Sequence, residues 1–437
     1  MTAALTIQLA PVTADGGPLW SVFAAGDFGL TGWLAEGRCD GDRFDSLVDR
    51  GVAETVRSCD LAIANFEGAI GVEREPPPKV GPVVEMDRGA VSLLRHVGFG
   101  VVSMANNHVM DYGAEGLLEG MRLCREQGIK TCGAGQSLDE ALGPAWVRVA
   151  GLRVAVLGLC EQEFGAADAG RAGTAPISDP QAMLRVAAVS READVVIVVA
   201  HGGVEYAPFS PIQRQRQLEA LVDAGASLVI GHHPHVPQGW QRRGDGLILH
   251  SLGNFHFWHG RHPWAFHSGG MGVRVRLQGR RVTALDLYPV QTDRNWIMGF
   301  MPPGERRERL LLHVGRLAEI LGGRDGGEAY WRETARVLWR RKYRRLLADA
   351  MGVGCKARLR WALRPLVRRC RRWRGGELPL VNMPRWLERD LLRMSLFRTE
   401  SHRWTIQTAL EVLAEGCPGS PEVSQEVERL MGFRWSE

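Results

Sequence analysis

Short apolar runs, each ending on polar side chains, recur along the chain up to about residue 290. Their spacing predicts strands over 19–27, 60–68, 100–108, 145–149, 152–160, 194–203, 226–230 (running into a loop through Val236) and 246–255, with a closing hairpin over 271–290 that turns at Gln278-Gly279. Between them, apolar positions return every three or four residues, as in Leu117, Leu118, Met121, Leu123 and Cys124. That periodicity predicts helices over 43–59, 89–98, 115–128, 180–192 and 211–224. Pro76-Pro77-Pro78 and a Gly/Ala-rich stretch at 165–175 read as loops. Strands alternating with helices over this length imply a layered α/β fold. In such folds the functional groups lie beyond the carboxyl ends of the strands, where these polar tips fall.

The pattern changes near residue 300. Ala335, Leu338, Trp339, Tyr343, Leu346, Leu347 and Ala350 share one helical face, with Arg336, Arg340, Arg341, Arg344 and Arg345 away from it. A second basic run, Arg368 to Arg374, follows Pro365, and helices are expected again at 384–396 and 402–415. Seven of the 14 Trp lie in this part, enough to furnish a helical core of its own. The chain therefore divides into an extension over 1–18, an α/β domain over 19–298 and a basic, Trp-rich, all-helical domain over 299–437.

Charge follows the same division. Residues 300–437 carry 28 Lys+Arg and 17 Asp+Glu, a net of +11, and the preceding residues carry a net of −6. Different surfaces then face different partners. The basic helices suit a membrane face, an acidic polymer or a partner protein; a solvated arginine face is the alternative, and nucleic acid is the least favoured partner. With 45% hydrophobic and 24% charged residues the composition is that of a soluble globular protein. The eight cysteines include no C-x-x-C, so free thiols in a reducing cytoplasm are expected. Met1 to Trp20 lacks the basic start and apolar core of a signal peptide, and no apolar run approaches 18 residues. The expectation is a cytoplasmic protein, at most peripheral at the inner face of the membrane.

Candidate chemistry sits on the strand tips. Asp27, Glu67, Asn107, His108, His201, His233 and His235 all fall at or just past predicted strand ends. His233 and His235, two apart around Pro234, are expected to point the same way from an extended segment. Two carboxylates, an amide oxygen and several imidazoles suit Mn, Fe or Zn. A bridging carboxylate can hold two such metals roughly 3.5–4 Å apart, the arrangement used for phosphoryl chemistry. His108, beside the amide, is then free to protonate a leaving group.

The ordered set Gly26-Asp27, Asn65-Phe66-Glu67, Ala105-Asn106-Asn107-His108-Val109-Met110-Asp111, His201-Gly202-Gly203-Val204-Glu205-Tyr206, Gly231-His232-His233-Pro234-His235-Val236 and Ser251-Leu252-Gly253-Asn254-Phe255 resembles the CapA-type capsule (poly-γ-glutamate) synthesis proteins. That family belongs to the calcineurin-like metallophosphoesterase superfamily, and the likeness covers roughly residues 20–290. The resemblance implies a four-layer α/β/β/α sandwich and two divalent metal ions. It would place Asp27, Glu67 and His235 on one metal and Glu67, Asn107, His201 and His233 on the other, with Glu67 bridging. His108 would be the acid, with Asn107 beside it. Asn106, Glu205, Ser251 and Asn254 would support those ligands or face the substrate. The first motif reads Asp27-Phe28-Gly29 where many superfamily phosphatases carry Asp-x-His, so the first metal lacks one imidazole. The implied function is a metal-dependent hydrolase in capsule, poly-γ-glutamate or envelope polymer synthesis, acting on an anionic substrate. The competing classes are a non-catalytic assembly factor for an anionic polymer and a nucleotide or nucleic-acid phosphoesterase.

Overall fold

The computed structural model describes residues 4–14, 16–30, 41–73, 76, 77, 79, 81–163, 165–258, 269–292, 297–323, 327–351, 391–393, 395, 396, 399–416 and 420–433. The basic run at 368–374 and most of the helix expected at 384–396 lie outside these residues.

Nineteen strands are described, and two large sheets hold most of them. The first runs in the order β1 (Leu5–Gln8), β18 (Arg281–Thr292), β17 (Gly269–Gln278), β2 (Leu19–Leu30), β3 (Leu61–Phe66), β6 (Val101–Ser103) and β7 (Lys130–Cys132). Off that path, β16 (Asn254–Trp258) pairs with β2 and β19 (Met298–Phe300) with β18. The second sheet runs β14 (Trp240–Arg243), β15 (Gly246–Leu249), β13 (Leu228–His232), β12 (Val195–His201), β10 (Leu152–Cys160) and β9 (Ala145–Val149). Its four central strands are parallel, and the two edges are antiparallel. Two small ladders, β4 (Ala69–Ile70) with β5 (Glu85–Met86) and β8 (Ala134–Gly135) with β11 (Gly173–Thr174), complete the set.

The near-continuous apolar runs follow from burial on both faces. In β12, Val195, Ile197 and Val199 join the core between the sheets, and Val196, Val198 and Ala200 join the core under the outer helices. β3 alternates likewise: Leu61 and Ile63 face the second sheet, and Ala62, Ala64 and Phe66 face the helices Arg50–Arg57, Gly89–Val97 and Gly113–Glu126. Pro180–Val189 and Ile212–Asp223 cover the other sheet through Ala182, Val186, Leu218 and Leu221. The result is the α/β/β/α sandwich, followed by a helical C-terminal region.

Two elements depart from expectation. The segment expected as one helix over 43–59 is a 3₁₀ turn, Gly41–Ser46, and then the helix Arg50–Arg57. Asp49 takes an extended ψ of 134° and its carboxylate accepts from Gly51 N at 2.8 Å, so it caps a new helix rather than continuing the old one. In the C-terminal region a π-helical turn, Trp339–Tyr343, joins Glu328–Leu338 to Arg344–Met351.

The helical region rests directly on the sandwich. Helix Glu305–Leu321 puts Leu310 and Val314 into the core between the sheets, and Leu317, Ile320 and Leu321 into the helical core with Trp331, Tyr343 and Ala409. Val204, Ala207 and Phe209, on the loop after β12, belong to that helical core as well. No helix among the described residues is long and apolar enough to cross a membrane.

Candidate metal centre

Strand parity brings the donors together. Asn65 and Glu67 continue the inward alternation of Leu61 and Ile63, and His201 continues that of Val195, Ile197 and Val199. Asp27 reaches the same space by a different device. Phe23 and Ala25 face the outer helices, so undisturbed alternation would send Asp27 there too. The β2–β3 register shifts between Ala24 and Asp27, after which Phe28 and Leu30 take the outer face and Asp27 turns inward. Gly26 permits this: a Cβ there would lie 2.1 Å from Gly253 O, whose carbonyl accepts from Asp27 N at 2.8 Å.

His233 and His235 differ from expectation. β13 ends at His232, and the two histidines are not extended but have φ of 95° and 57°. They converge through a left-handed turn around Pro234, a conformation that costs a non-glycine residue of order 1–3 kcal/mol and that surrounding contacts must impose. Their rings are 6.0 Å apart.

Two groups of three among the described residues could hold a metal ion, Glu67 with His201 and His233, and Asp27 with Glu67 and His235. Within each, the donor atoms lie within 4.8 Å of one another and all residues are enclosed. Glu67 Oε1 stands 3.8 Å from His201 Nε2 and 3.7 Å from His235 Nε2, buried and without a hydrogen-bond partner. His233 Nδ1 is 3.1 Å from His201 Nε2, and Asn107 Oδ1 is 3.0 Å from that same nitrogen. An orphaned carboxylate oxygen among convergent lone pairs fits divalent cations, because a buried charge needs a compensating partner.

The protonation of the cluster agrees with that fit. Burial raises the Glu67 carboxyl well above its usual range, and Asp27 beside it adds to the shift. Burial opposes ionisation of Asp27 too, but hydrogen bonds from His232 and His235 win and hold it well below the usual value. Burial and the neighbouring His233 keep His201 neutral, and burial lowers His233 to about 4. Burial disfavours charge on His235, yet Glu67 and Asp27 lift it to about 10. The protons on Glu67 and His235 are those a metal would displace.

The remaining expected residues surround these donors. Asn254 Oδ1 accepts from His235 Nδ1 at 2.9 Å, turning Nε2 toward Glu67. Asn106 binds Phe66 O through Nδ2 at 2.7 Å and accepts from His108 N at 3.1 Å, so it ties β3 to the His108 loop. Ser251 Oγ donates to Val236 O at 2.9 Å, bracing the loop that carries His235. Glu205, only partly enclosed, lies 3.5 Å from Lys342 Nζ; against its partial desolvation, Lys342 and the site histidines hold its carboxyl well below the usual range. His108 Nδ1 is 2.8 Å from Asp111 Oδ2, and burial together with Lys79 lowers its pKa.

Sequence reasoning missed several participants. Asp111 follows His108 by three residues in one turn, a spacing at which side chains meet, and Lys79 contacts both. Asn65 Nδ2 reaches Asp27 Oδ1 at 2.9 Å and His201 Nδ1 at 3.2 Å. His232 supports Asp27 Oδ1 at 2.8 Å, consistent with its place outside the donor groups. Glu161 carried no sequence signal, since its role depends on residues far along the chain.

Two sheets face to face, helices outside, and carboxylates and imidazoles gathered at the strand ends define a four-layer α/β/β/α sandwich with a candidate metal centre. Within that class the chain belongs to the bacterial capsule synthesis protein PGA_cap family, whose model matches residues 21–258. It is 31% identical over 253 residues to the capsule biosynthesis protein CapA of Bacillus anthracis, covering 56% of this chain and 61% of that protein. It is 32% identical over 253 residues to the PGA biosynthesis protein CapA of Bacillus subtilis, covering 54% and 65%. A probable polyglutamine synthesis accessory protein of Mycobacterium tuberculosis is 28% identical over 208 residues, covering 45% and 55%. The chain thus spans less than two thirds of the length of these relatives. Among solved structures, the 5'-nucleotidase precursor from Thermus thermophilus aligns over 68% of this chain and 58% of its own, with 14% identity and a TM-score of 0.37.

Proposed function

We propose that this protein is a metal-dependent hydrolase that acts on a phosphoester, or a related ester or amide, in the synthesis of a capsule or poly-γ-glutamate polymer. The observation that carries the chemistry is the pair of donor groups sharing Glu67, whose Oε1 is buried without a partner. The family supports the pathway.

Asp27, Glu67 and His235 would hold one ion, and Glu67, Asn107, His201 and His233 the other. When bound, a pair of divalent ions supplies Lewis acidity to substrate oxygens and lowers the pKa of water. The chain's own residues do the rest. Asp111 accepts the Nδ1 proton of His108 and fixes the ring, which leaves Nε2 as the atom where a proton is gained and lost. Lys79, near His108 Nδ1 at 3.3 Å, biases the ring toward its neutral form. Asn106 holds the loop, so His108 and Asn107 stay in register with β3.

The test combines metal content with turnover of a phosphoester panel. His233→Ala should lose metal and activity together, and His108→Ala should keep the metal and lose turnover by about 10²-fold or more. Wild-type protein that holds two ions per chain yet turns over no phosphoester, ester or amide would favour an assembly factor that binds an anionic polymer. Protein that takes up no Mn, Fe or Zn would refute the metal assignment.

A further inference from the structure

Only four of the 54 basic residues in this chain are lysines, and two of them stand at the metal centre. Lys79 is nearly enclosed and is committed to His108 and Asp111. Lys342 is different. It is about a third exposed, and its ion-pair partner among the described residues, Glu205, is 3.5 Å away and similarly exposed. Glu205 sits beside the histidine turn: Tyr206 N, next in the chain, donates to Pro234 O at 2.8 Å, and the Tyr206 ring lies 6.0 Å from that of His235. An ammonium so loosely paired can exchange a carboxylate partner for a substrate oxyanion at little cost.

The local backbone explains how Lys342 gets there. Arg340, Arg341 and Lys342 are consecutive on the π-helical turn Trp339–Tyr343. The two arginines reach Glu428 on the last described helix, and Lys342 points the other way, to Glu205. π-Helical turns recur at functional sites because the extra residue re-aims its neighbours. Tyr343, fully buried, anchors the turn in the helical core and meets the His402 ring at 5.6 Å. Among the described residues, His402 Nδ1 is buried with no hydrogen-bond partner. Apart from Glu205, all of these residues lie beyond the part of the chain that matches the family model.

We propose that Lys342, with Glu205 and His402 beside it, forms a subsite for a second oxyanion of the substrate, a carboxylate or a phosphate adjacent to the group that is hydrolysed. This rests on the metal-hydrolase reading and deepens it: the C-terminal helices supply substrate specificity to a centre built by the sandwich. Glu205 holds Lys342 in place until the substrate arrives.

The experiment is calorimetric titration of the full-length, metal-loaded protein with inorganic phosphate, pyrophosphate and phosphoglycolate. Lys342→Ala should weaken pyrophosphate, phosphoglycolate or both by about tenfold or more, and inorganic phosphate by less than about twofold, with metal content unchanged. Loss for pyrophosphate alone identifies the second group as a phosphate, and loss for phosphoglycolate alone as a carboxylate. Lys342→Arg should recover part of the affinity, because the charge returns in a different shape. Equal weakening of all three anions, no weakening of any, or a change in metal content would overturn the subsite and leave the hydrolase reading standing. Wild-type protein that binds none of the three would overturn the subsite and, with it, the phosphoester form of the hydrolase reading.

Discussion

Ser401 Oγ donates to Glu161 Oε2 at 2.7 Å, joining positions 240 residues apart in the chain. Ser401 N also donates to Glu161, and Gly203 N, two residues past His201, donates to the same carboxylate at 2.9 Å. Glu161 therefore ties the first turn of helix Glu400–Glu415 to the loop that leaves β12 beside the candidate metal centre. Arg214, almost fully enclosed, adds a contact of 3.0 Å to Glu161. These contacts and the Gly203 bond keep the Glu161 carboxylate ionised against its burial.

Breaking that junction should be costly and asymmetric. Among the described residues, Glu161→Ala leaves the buried Arg214 with Glu400 as its remaining carboxylate, 3.7 Å away, and should cost about 3–5 kcal/mol. Ser401→Ala removes a donor and should cost about 1–3 kcal/mol. Chemical denaturation measures both, and a double variant should lose less than the sum if the two residues act as one unit.

Gly26→Ala should disable the centre without touching a donor. The new Cβ would meet Gly253 O at 2.1 Å and push apart the β2–β16 contact that aims Asp27. We expect a loss of about 1–3 kcal/mol of stability and metal affinity lowered out of proportion to it, read by metal analysis after dialysis. Unchanged metal affinity would show that the register shift is not what aims Asp27.

Metal should stabilise the fold by mass action. Ions at a hundredfold excess over their Kd add about 2.7 kcal/mol, so a chelator should lower Tm and Mn or Zn should restore it. Glu67→Gln should abolish most of that increment, since the amide cannot replace the buried carboxylate shared by both donor groups.

Acid should destabilise the protein through histidines away from the centre. Burial lowers His250 to about 4; burial and Arg429 lower His313 to about 3. Both folded values lie below the ordinary 6.5, so the unfolded chain binds the extra protons. Their neutral forms contribute fully above about pH 6.5, and stability falls as pH drops toward 4. His313→Leu should flatten the decline between pH 6.5 and 4, measured as Tm against pH on metal-free protein. An unaltered slope would remove His313 from the account.

The strands and their tips were legible in the chain because both faces of each sheet are covered, which makes every central strand an apolar run with a sharp polar end. Val195 to His201 and Leu228 to His232 show this directly. The helical face from Ala335 to Ala350 was legible for the same reason, and its residues now form the core with Trp331 and Ile406. The donor types could be read as well, because metal-binding chemistry restricts them to carboxylate, amide and imidazole.

Other features had no local signature. Alternation alone would have turned Asp27 toward the helices; the register shift beside Gly26 reverses it, and that shift depends on Gly253 approaching from another strand. Likewise His233 and His235 meet through left-handed backbone rather than strand alternation. Lys342, Glu161 and Ser401 meet the loop after β12 because Val204, Ala207 and Phe209 dock that loop onto the C-terminal helices. Amino-acid order determines which groups exist and which face of an element each takes. Which of them share one buried volume is set by contacts between distant segments: within the sandwich for the donors, and between the C-terminal helices and the loop after β12 for Lys342, Glu161 and Ser401.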